Sequence, residues 1–155
     1  MQVTSGWLEV KRACSGGCNW FKSHFPNGGD IESVLVLITQ DDTANDSWVA
    51  WLMGRAKYTG MGWMEGLEIF GSLDLRDTGI TALPDGLTVG GSLYLSGTGI
   101  TALPDGLTVG GSLDLSVTGI TALPDGLTVG GSLYLSGSKV KISDVPEHLK
   151  SRVLL

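Results

Sequence analysis

The segment TGITALPDGLTVGGSL occurs three times without a single difference, at residues 78–93, 98–113 and 118–133. A partial copy, residues 67–71, precedes the first repeat, and a diverged copy, residues 145–149, follows the last one. Self-similarity at a period of about 20 residues is typical of a solenoid, in which each coil buries its apolar side chains only against neighbouring coils. The repeat therefore predicts a stack of coils over roughly half of the chain.

One coil can be interpreted position by position. Apolar and polar residues alternate over residues 92–96, which predicts a half-buried strand with its leucines inward. Residues 104–106, Pro-Asp-Gly, predict a turn, because proline presets φ and glycine tolerates a positive φ. The pair Gly110-Gly111 predicts a tight corner where a side chain would clash. The predicted inward positions of this coil are Leu93, Leu95, Ile100, Leu103, Leu107 and Val109.

The spacing of these residues resembles that of bacterial-type leucine-rich repeats of about 20 residues. The resemblance is carried by Leu93, Leu95, Thr98, Ile100, Leu103, Pro104 and Leu107. It is similar to the short repeats with a Leu-Pro dipeptide in secreted effectors of enteric pathogens, and it implies parallel strands and protein binding. The catalytic ubiquitin-ligase domain of those effectors has no counterpart in this sequence. Threonine stands where the family usually has asparagine, so a flatter β-solenoid cross-section stays open as an alternative.

Residues 1–66 follow a different pattern, which predicts a small helical module. Residues 5–10 read as a short strand, and three helices are predicted after it. The first ends at Pro26, the second begins after Asp30, and the third begins near Asp46. The predicted buried faces hold Cys14, Cys18, Phe21 and Phe25 in the first helix, Ile31, Val34, Leu35 and Ile38 in the second, and Trp48, Trp51 and Leu52 in the third.

The fold class expected from these patterns is α+β. A helical N-terminal cap over residues 1–66 precedes a short leucine-rich-repeat-like β-solenoid with parallel strands over residues 67–155, of which the last coil is degenerate. Residues 13–52, with CNWFKSHFPNGGD and SWVAWLM, are similar to a helical segment of uncharacterised bacterial and prophage proteins. That resemblance implies a phage or mobile-element origin. A helical module would also cover the exposed strand edges of the first coil.

The charge of the chain is unevenly distributed around a net value of −6. Residues 67–137 carry seven acidic residues and a single arginine, Arg76. An acidic repeat disfavours contact with phosphate backbones, so we expect no direct nucleic-acid binding and a partner that is itself basic, such as a nucleic-acid-handling complex.

The composition also bears on the compartment. No apolar run reaches the 18 to 20 residues or so that span a bilayer, and the start MQVTSGWLEVKR lacks the pattern of a Sec-type signal. Cys14 and Cys18 are the two cysteines, too few for a disulfide scaffold. These features predict a protein of the bacterial cytoplasm with no membrane association.

Catalytic and metal-binding patterns are weak. Cys14 and Cys18 with His24 lack the usual zinc spacing, and His148 is expected to be exposed. A glycosidase pair of Asp74 and Asp114 is disfavoured because repeat expansion explains the duplicated acid. The acids of the Pro-Asp-Gly turns are too isolated for calcium. We therefore expect neither an enzyme, nor a metal, nor a cofactor.

One position of the strand alternates between two residues, as GSLDLR, GSLYLS, GSLDLS and GSLYLS. Stacked parallel strands would place these outward side chains in one column. Duplication of a two-coil unit explains the alternation, and the tyrosines also keep the aspartates apart. Variation on one face of a uniform repeat is equally what a recognition surface would show. The predicted binding face comprises Asp74, Tyr94, Asp114 and Tyr134 with the neighbouring Arg76, Ser96, Ser116 and Ser136.

The functional prediction is a non-catalytic protein-binding module, encoded by a phage or mobile element, that inhibits a host defence complex. A secreted leucine-rich-repeat effector acting on a eukaryotic host protein is the first alternative. A small hydrolase or metal protein is the second. Dimerisation through the apolar residues 153–155 stays open.

Overall fold

The computed structural model describes residues 2–3, 15–30, 34 and 66–155. The strand predicted over residues 5–10, the third predicted helix, Cys14 and most of the second predicted helix lie outside the described residues.

The described N-terminal elements are a helix and two paired strands. Helix α1 (Ser15–His24) confirms the first predicted helix, and it ends just before the proline and glycines that were expected to stop it. Strand β1 (Gln2–Val3) pairs antiparallel with β2 (Gly29–Asp30). Phe21 is buried as predicted. Trp20 is also buried, although the predicted apolar face did not include it, and its ring stacks on His24 with 4.5 Å between the centroids.

From residue 66 onward each coil contributes two strands of two residues, except that the diverged last coil contributes one, and the strands of successive coils stack in parallel. The result is a solenoid-like repeat with two parallel sheets. One sheet has four strands, in the order β3 (Glu68–Ile69), β5 (Thr88–Val89), β7 (Thr108–Val109) and β9 (Thr128–Val129). The other has five, in the order β4 (Leu73–Asp74), β6 (Leu93–Tyr94), β8 (Leu113–Asp114), β10 (Leu133–Tyr134) and β11 (Val153–Leu154).

The core lies between these two sheets and confirms the predicted inward positions. Five of the six inward side chains of the second coil have no exposed surface, and Leu103 is 8% exposed. The equivalent residues of the other repeats are buried in the same way. Because full burial of a Leu, Ile or Val side chain stabilises by about 1.5–3 kcal/mol, stacked coils can offset the entropy lost on ordering the chain.

A threonine follows the five-stranded sheet in each repeat and bonds within its own coil. The hydroxyls of Thr78, Thr98 and Thr118 donate to the carbonyl oxygens three residues earlier, at 2.6, 2.7 and 2.7 Å. Thr98 and Thr118 are buried. These contacts satisfy a polar group inside an otherwise apolar core.

A serine ladder connects the coils at the entry to the five-stranded sheet. The backbone N–H of Ser92 donates to Ser72 Oγ at 2.9 Å, that of Ser112 to Ser92 Oγ at 3.0 Å, and that of Ser132 to Ser112 Oγ at 3.1 Å. The backbone N–H of each serine in the GGSL segments therefore bonds to a serine side-chain oxygen of the preceding coil and not to a backbone carbonyl oxygen.

The Gly-Gly corners are tight, as predicted. A Cβ on Gly110 would lie under 3.0 Å from the carbonyl oxygen of Gly90, and one on Gly130 would meet Gly110 in the same way. The obstacle is backbone, so it cannot rotate out of the way.

The diverged last coil keeps the core and changes its hydrogen bonds. Val145 and Leu149 are buried, with 3₁₀ helices at Ile142–Asp144 and Glu147–Arg152. In a repeated coil the carbonyl oxygens equivalent to Leu127 and Gly131 accept backbone N–H groups of the next coil. Here His148 Nε2 donates to Leu127 O at 3.0 Å, and Arg152 Nη1 donates to Gly130 O and, at 3.4 Å, to Gly131 O. His148 is exposed, as predicted.

Within the part of the chain that the structure describes, no helix is long and apolar enough to cross a membrane.

The corner geometry predicts the effect of a single methyl group. Gly110→Ala is expected to destabilise the protein by about 1–3 kcal/mol, because the coils must separate to admit the Cβ. The measurement is the midpoint of urea unfolding followed by circular dichroism. Gly79→Ala is the matched control, since a Cβ there meets nothing within 4 Å and its φ is not positive. Equal midpoints for the two variants would contradict the packing of the corner.

Candidate functional site

The alternating residues form one column on the outer face of the five-stranded sheet. Asp74 is in register with Tyr94, Tyr94 with Asp114, and Asp114 with Tyr134. Strand β11 extends the column with Leu154. Neighbouring positions in such a ladder are about 4.8 Å apart. The column predicted from the repeat is therefore present, and each acidic position contacts a tyrosine position.

In the first coil two side chains hold the guanidinium group of Arg76. Arg76 Nε donates to Asp74 Oδ1 at 2.9 Å, and Arg76 Nη2 donates to Asp74 Oδ2 at 2.6 Å. The guanidinium carbon lies 5.2 Å from the ring centroid of Tyr94 in the next coil. A bidentate carboxylate contact and a cation–π contact thus act on the same group.

This role of Arg76 went beyond the sequence prediction, which included the residue only as a variable neighbour of the column. The available signal was its spacing. Residues two apart in a strand point to the same face, so an Asp-x-Arg sequence places the two charges side by side.

The electrostatics of the pair follow from these contacts. Hydrogen bonds from Arg76 lower the pKa of the Asp74 carboxyl, against the opposing effect of partial burial. Asp74 in turn raises the pKa of Arg76, with smaller contributions from Tyr94 and Asp114. Both partners are about half exposed, so water weakens the attraction between them.

Asp114 has a different environment from Asp74. It is half-buried between the positions of Tyr94 and Tyr134, and its Oδ1 accepts a hydrogen bond from the Ser116 backbone N–H at 2.9 Å. Ser116 occupies the position that Arg76 holds two coils earlier. Over residues 66–155 the ion pairs are Asp74–Arg76 and Glu147–Lys150, so Asp114 takes part in neither.

The three serines of the predicted face follow the strands on the same side. Ser96 and Ser116 are half-buried, and Ser136 is exposed. The carbonyl oxygens of Ser96 and Ser136 accept inter-coil hydrogen bonds, from the Asp77 N–H at 3.1 Å and from the Val117 N–H at 2.9 Å. The serines therefore border the column and keep its backbone in register.

The next position along each coil has a left-handed backbone. Glycine occupies it in two coils, at Gly97 and Gly137, where φ is 72° and 70°. Asp77 and Val117 adopt the same conformation, with φ of 54° and 55°. A β-branched residue is rarely found there, so Val117 is strained, and its side chain is 68% exposed.

The geometry bears on the chemistry considered from the sequence. Arg76 occupies both carboxylate oxygens of Asp74, which does not suit a general acid or base working with Asp114. Among the described residues, no three His, Cys, Asp or Glu side chains are grouped so that they could hold a metal ion. The aspartates of the Pro-Asp-Gly turns, Asp85, Asp105 and Asp125, are exposed.

The chain matches no protein-family model, no curated protein and no solved structure. The resemblance to leucine-rich repeats therefore stays a prediction from the sequence.

The Asp74–Arg76 contact predicts a change in titration. Arg76→Ser places at position 76 the serine that the other three coils have there. The pKa of Asp74 is expected to rise toward the ordinary aspartate range, because the carboxylate loses its guanidinium donors. Carbon NMR of the side-chain carboxyls across a pH series measures this change. In the wild type the stabilisation from the pair is present above the ordinary carboxyl pKa and is lost as the pH falls through the lowered pKa of Asp74. Identical titration of Asp74 in both proteins would contradict the contact.

The backbone at position 117 predicts a stabilising substitution. Val117→Gly is expected to raise stability by about 1 kcal/mol, since glycine removes the strain of a β-branched residue at positive φ. The urea midpoint measures the gain. Val117→Ala keeps a Cβ in the same conformation and should gain less, so a gain from alanine as large as that from glycine would count against backbone strain.

Proposed function

We propose that this chain is a non-catalytic protein-binding module and that the outer face of the five-stranded sheet is its recognition surface. The observation that supports this most is the confinement of sequence variation to that face. The inward residues and corners of the three full repeats are identical, whereas the column position and the second and third positions after it vary among the coils.

The proposed surface is rigid, which favours binding. Its strands are joined by backbone hydrogen bonds of 2.9 Å, such as Leu93 N–H to Ser112 O and Leu95 N–H to Asp114 O. Tyrosine adds large contact area at a small entropic cost, and tyrosine is enriched among the residues that dominate binding energy. Tyr134 is 40% exposed and Val117 is 68% exposed, so the third and fourth coils offer the apolar part of the surface.

Charge favours a basic partner. Residues 67–137 have a net charge of −6, and acidic side chains on a rigid surface steer positively charged proteins toward it. The same charge disfavours direct contact with nucleic acid.

The finer details of the architecture belong to the same proposal. We take the coils to be of the leucine-rich-repeat type and residues 1–66 to form a helical cap. The cap would cover the edges of β3 and β4, which are terminal strands of the two parallel sheets.

The biological setting that we propose is inhibition of a host defence complex by a protein from a phage or mobile element, acting in the bacterial cytoplasm. It rests on the resemblance of residues 13–52 to prophage proteins and on the acidity of the repeats. A nucleic-acid-handling complex is basic and would suit the face.

Affinity capture from a bacterial host lysate, followed by mass spectrometry, tests the proposal. The wild type is expected to enrich a basic protein, and the double variant Tyr94→Ala/Tyr134→Ala should lower its affinity by more than about 30-fold, the effect of losing about 2 kcal/mol at a binding hot spot. Thr88→Ala/Thr128→Ala is the matched control, because both threonines lie on the strands of the other sheet. Capture that survives the tyrosine variant, or is lost only in the threonine variant, would place the binding surface elsewhere.

A further inference from the structure

The repeat contains two versions of the same arrangement, 40 residues apart. In the first, Asp74 stands beside Tyr94 of the next coil, and in the second, Asp114 stands beside Tyr134. Both pairs lie in the same sheet with the same parallel register. They differ at the position two residues after the aspartate, which is arginine in the first version and serine in the second.

The two aspartates are oriented alike by the backbone. Asp74 Oδ1 accepts the N–H of Arg76 at 3.1 Å, and Asp114 Oδ1 accepts the N–H of Ser116 at 2.9 Å. In the first version the carboxylate also binds Nε and Nη2 of the guanidinium group. A serine is too short to reach these positions, so in the second version that edge of the carboxylate keeps its acceptor capacity.

The two tyrosines differ in the same way, because the coil before Tyr94 supplies an arginine and the coil before Tyr134 supplies a serine. The guanidinium of Arg76 lies 5.2 Å from the ring centroid of Tyr94, and Tyr94 is half-buried. Tyr134 lacks an arginine in the preceding coil and is 40% exposed. The second version therefore presents a carboxylate and an aromatic ring in the geometry that holds a guanidinium group in the first.

The geometry points to a binding site for an arginine side chain of the partner, formed by Asp114 and Tyr134. This inference rests on the proposed function, since it assigns a chemical group to the same face. Arginine fits better than lysine because its planar fork meets a carboxylate with two hydrogen bonds while its face stacks on a ring. Arg76 also attracts Asp114, but its Nε and Nη2 donors are engaged with Asp74.

The direct test uses the full chain and two short peptides, acetyl-Gly-Arg-Gly-amide and acetyl-Gly-Lys-Gly-amide. NMR of the Tyr134 ring and the Asp114 carboxyl carbon follows each titration. The arginine peptide is expected to shift both signals, and the lysine peptide to bind several-fold more weakly, since an ammonium lacks the fork and the flat face. Equal binding of both peptides, or no shift at Tyr134 and Asp114, would overturn the inference.

Two substitutions swap the residue that distinguishes the two arrangements, and they make the test more specific. Ser116→Arg is expected to fill the second site with an arginine of the chain itself. It should therefore lower the affinity for the arginine peptide by about tenfold or more. Arg76→Ser is expected to vacate the first site, so that the peptide then also shifts Tyr94 and Asp74. Thr128→Arg adds the same charge on the other sheet and should leave the titration unchanged. Unaltered binding in Ser116→Arg, or binding lost equally in Thr128→Arg, would contradict a site at Asp114.

The outcomes separate this inference from the proposed function. If the tyrosine variant loses the captured partner while Ser116→Arg keeps it, the face binds but takes no arginine at Asp114, and the inference fails alone. If the arginine peptide binds at Tyr134 but the tyrosine variant captures as much partner as the wild type, the arginine site is supported and the proposed recognition surface is wrong.

Discussion

The hydrogen bonds between successive coils are the constraint on which the rest of the structure depends. The same donors and acceptors recur every 20 residues, for example Gly90 N–H to Ile69 O at 2.7 Å and Gly110 N–H to Val89 O at 2.8 Å. The strands are only two residues long, but the inter-coil hydrogen bonds continue through the corners, as from the Gly91 N–H to Gly71 O at 2.8 Å. The corner glycines follow from this requirement, since a Cβ would hold the chains apart at the point where they must meet.

Much of this architecture follows from the sequence because the repeat makes each local pattern visible several times. Alternation identified the inward leucines, and the Gly-Gly pairs identified the corners. Parallel stacking then placed Asp74, Tyr94, Asp114 and Tyr134 in one column without further information.

The features that the sequence did not reveal depend on where side-chain atoms point. Ser72 accepts a backbone N–H of the next coil, and Arg76 reaches both an aspartate in its own coil and a tyrosine in the next. Alternation separates inward from outward positions, but it does not distinguish an outward serine that faces water from one that bonds a neighbouring coil. Helix α1 shows the same limit, since Trp20 is buried although the predicted stripe omits it, whereas of that stripe Phe21 is buried and Cys18 and Phe25 are partly buried.

The last coil has a consequence for how such a protein can change in length. His148 and Arg152 donate hydrogen bonds to main-chain carbonyl oxygens, which every coil presents in the same places. These hydrogen bonds do not depend on which repeated coil precedes the diverged one, so recombination between identical repeats can add or remove whole coils without changing them. Each such event of two coils would add or remove one aspartate–tyrosine pair, so the number of contact points on the face is a variable that selection can adjust in whole steps.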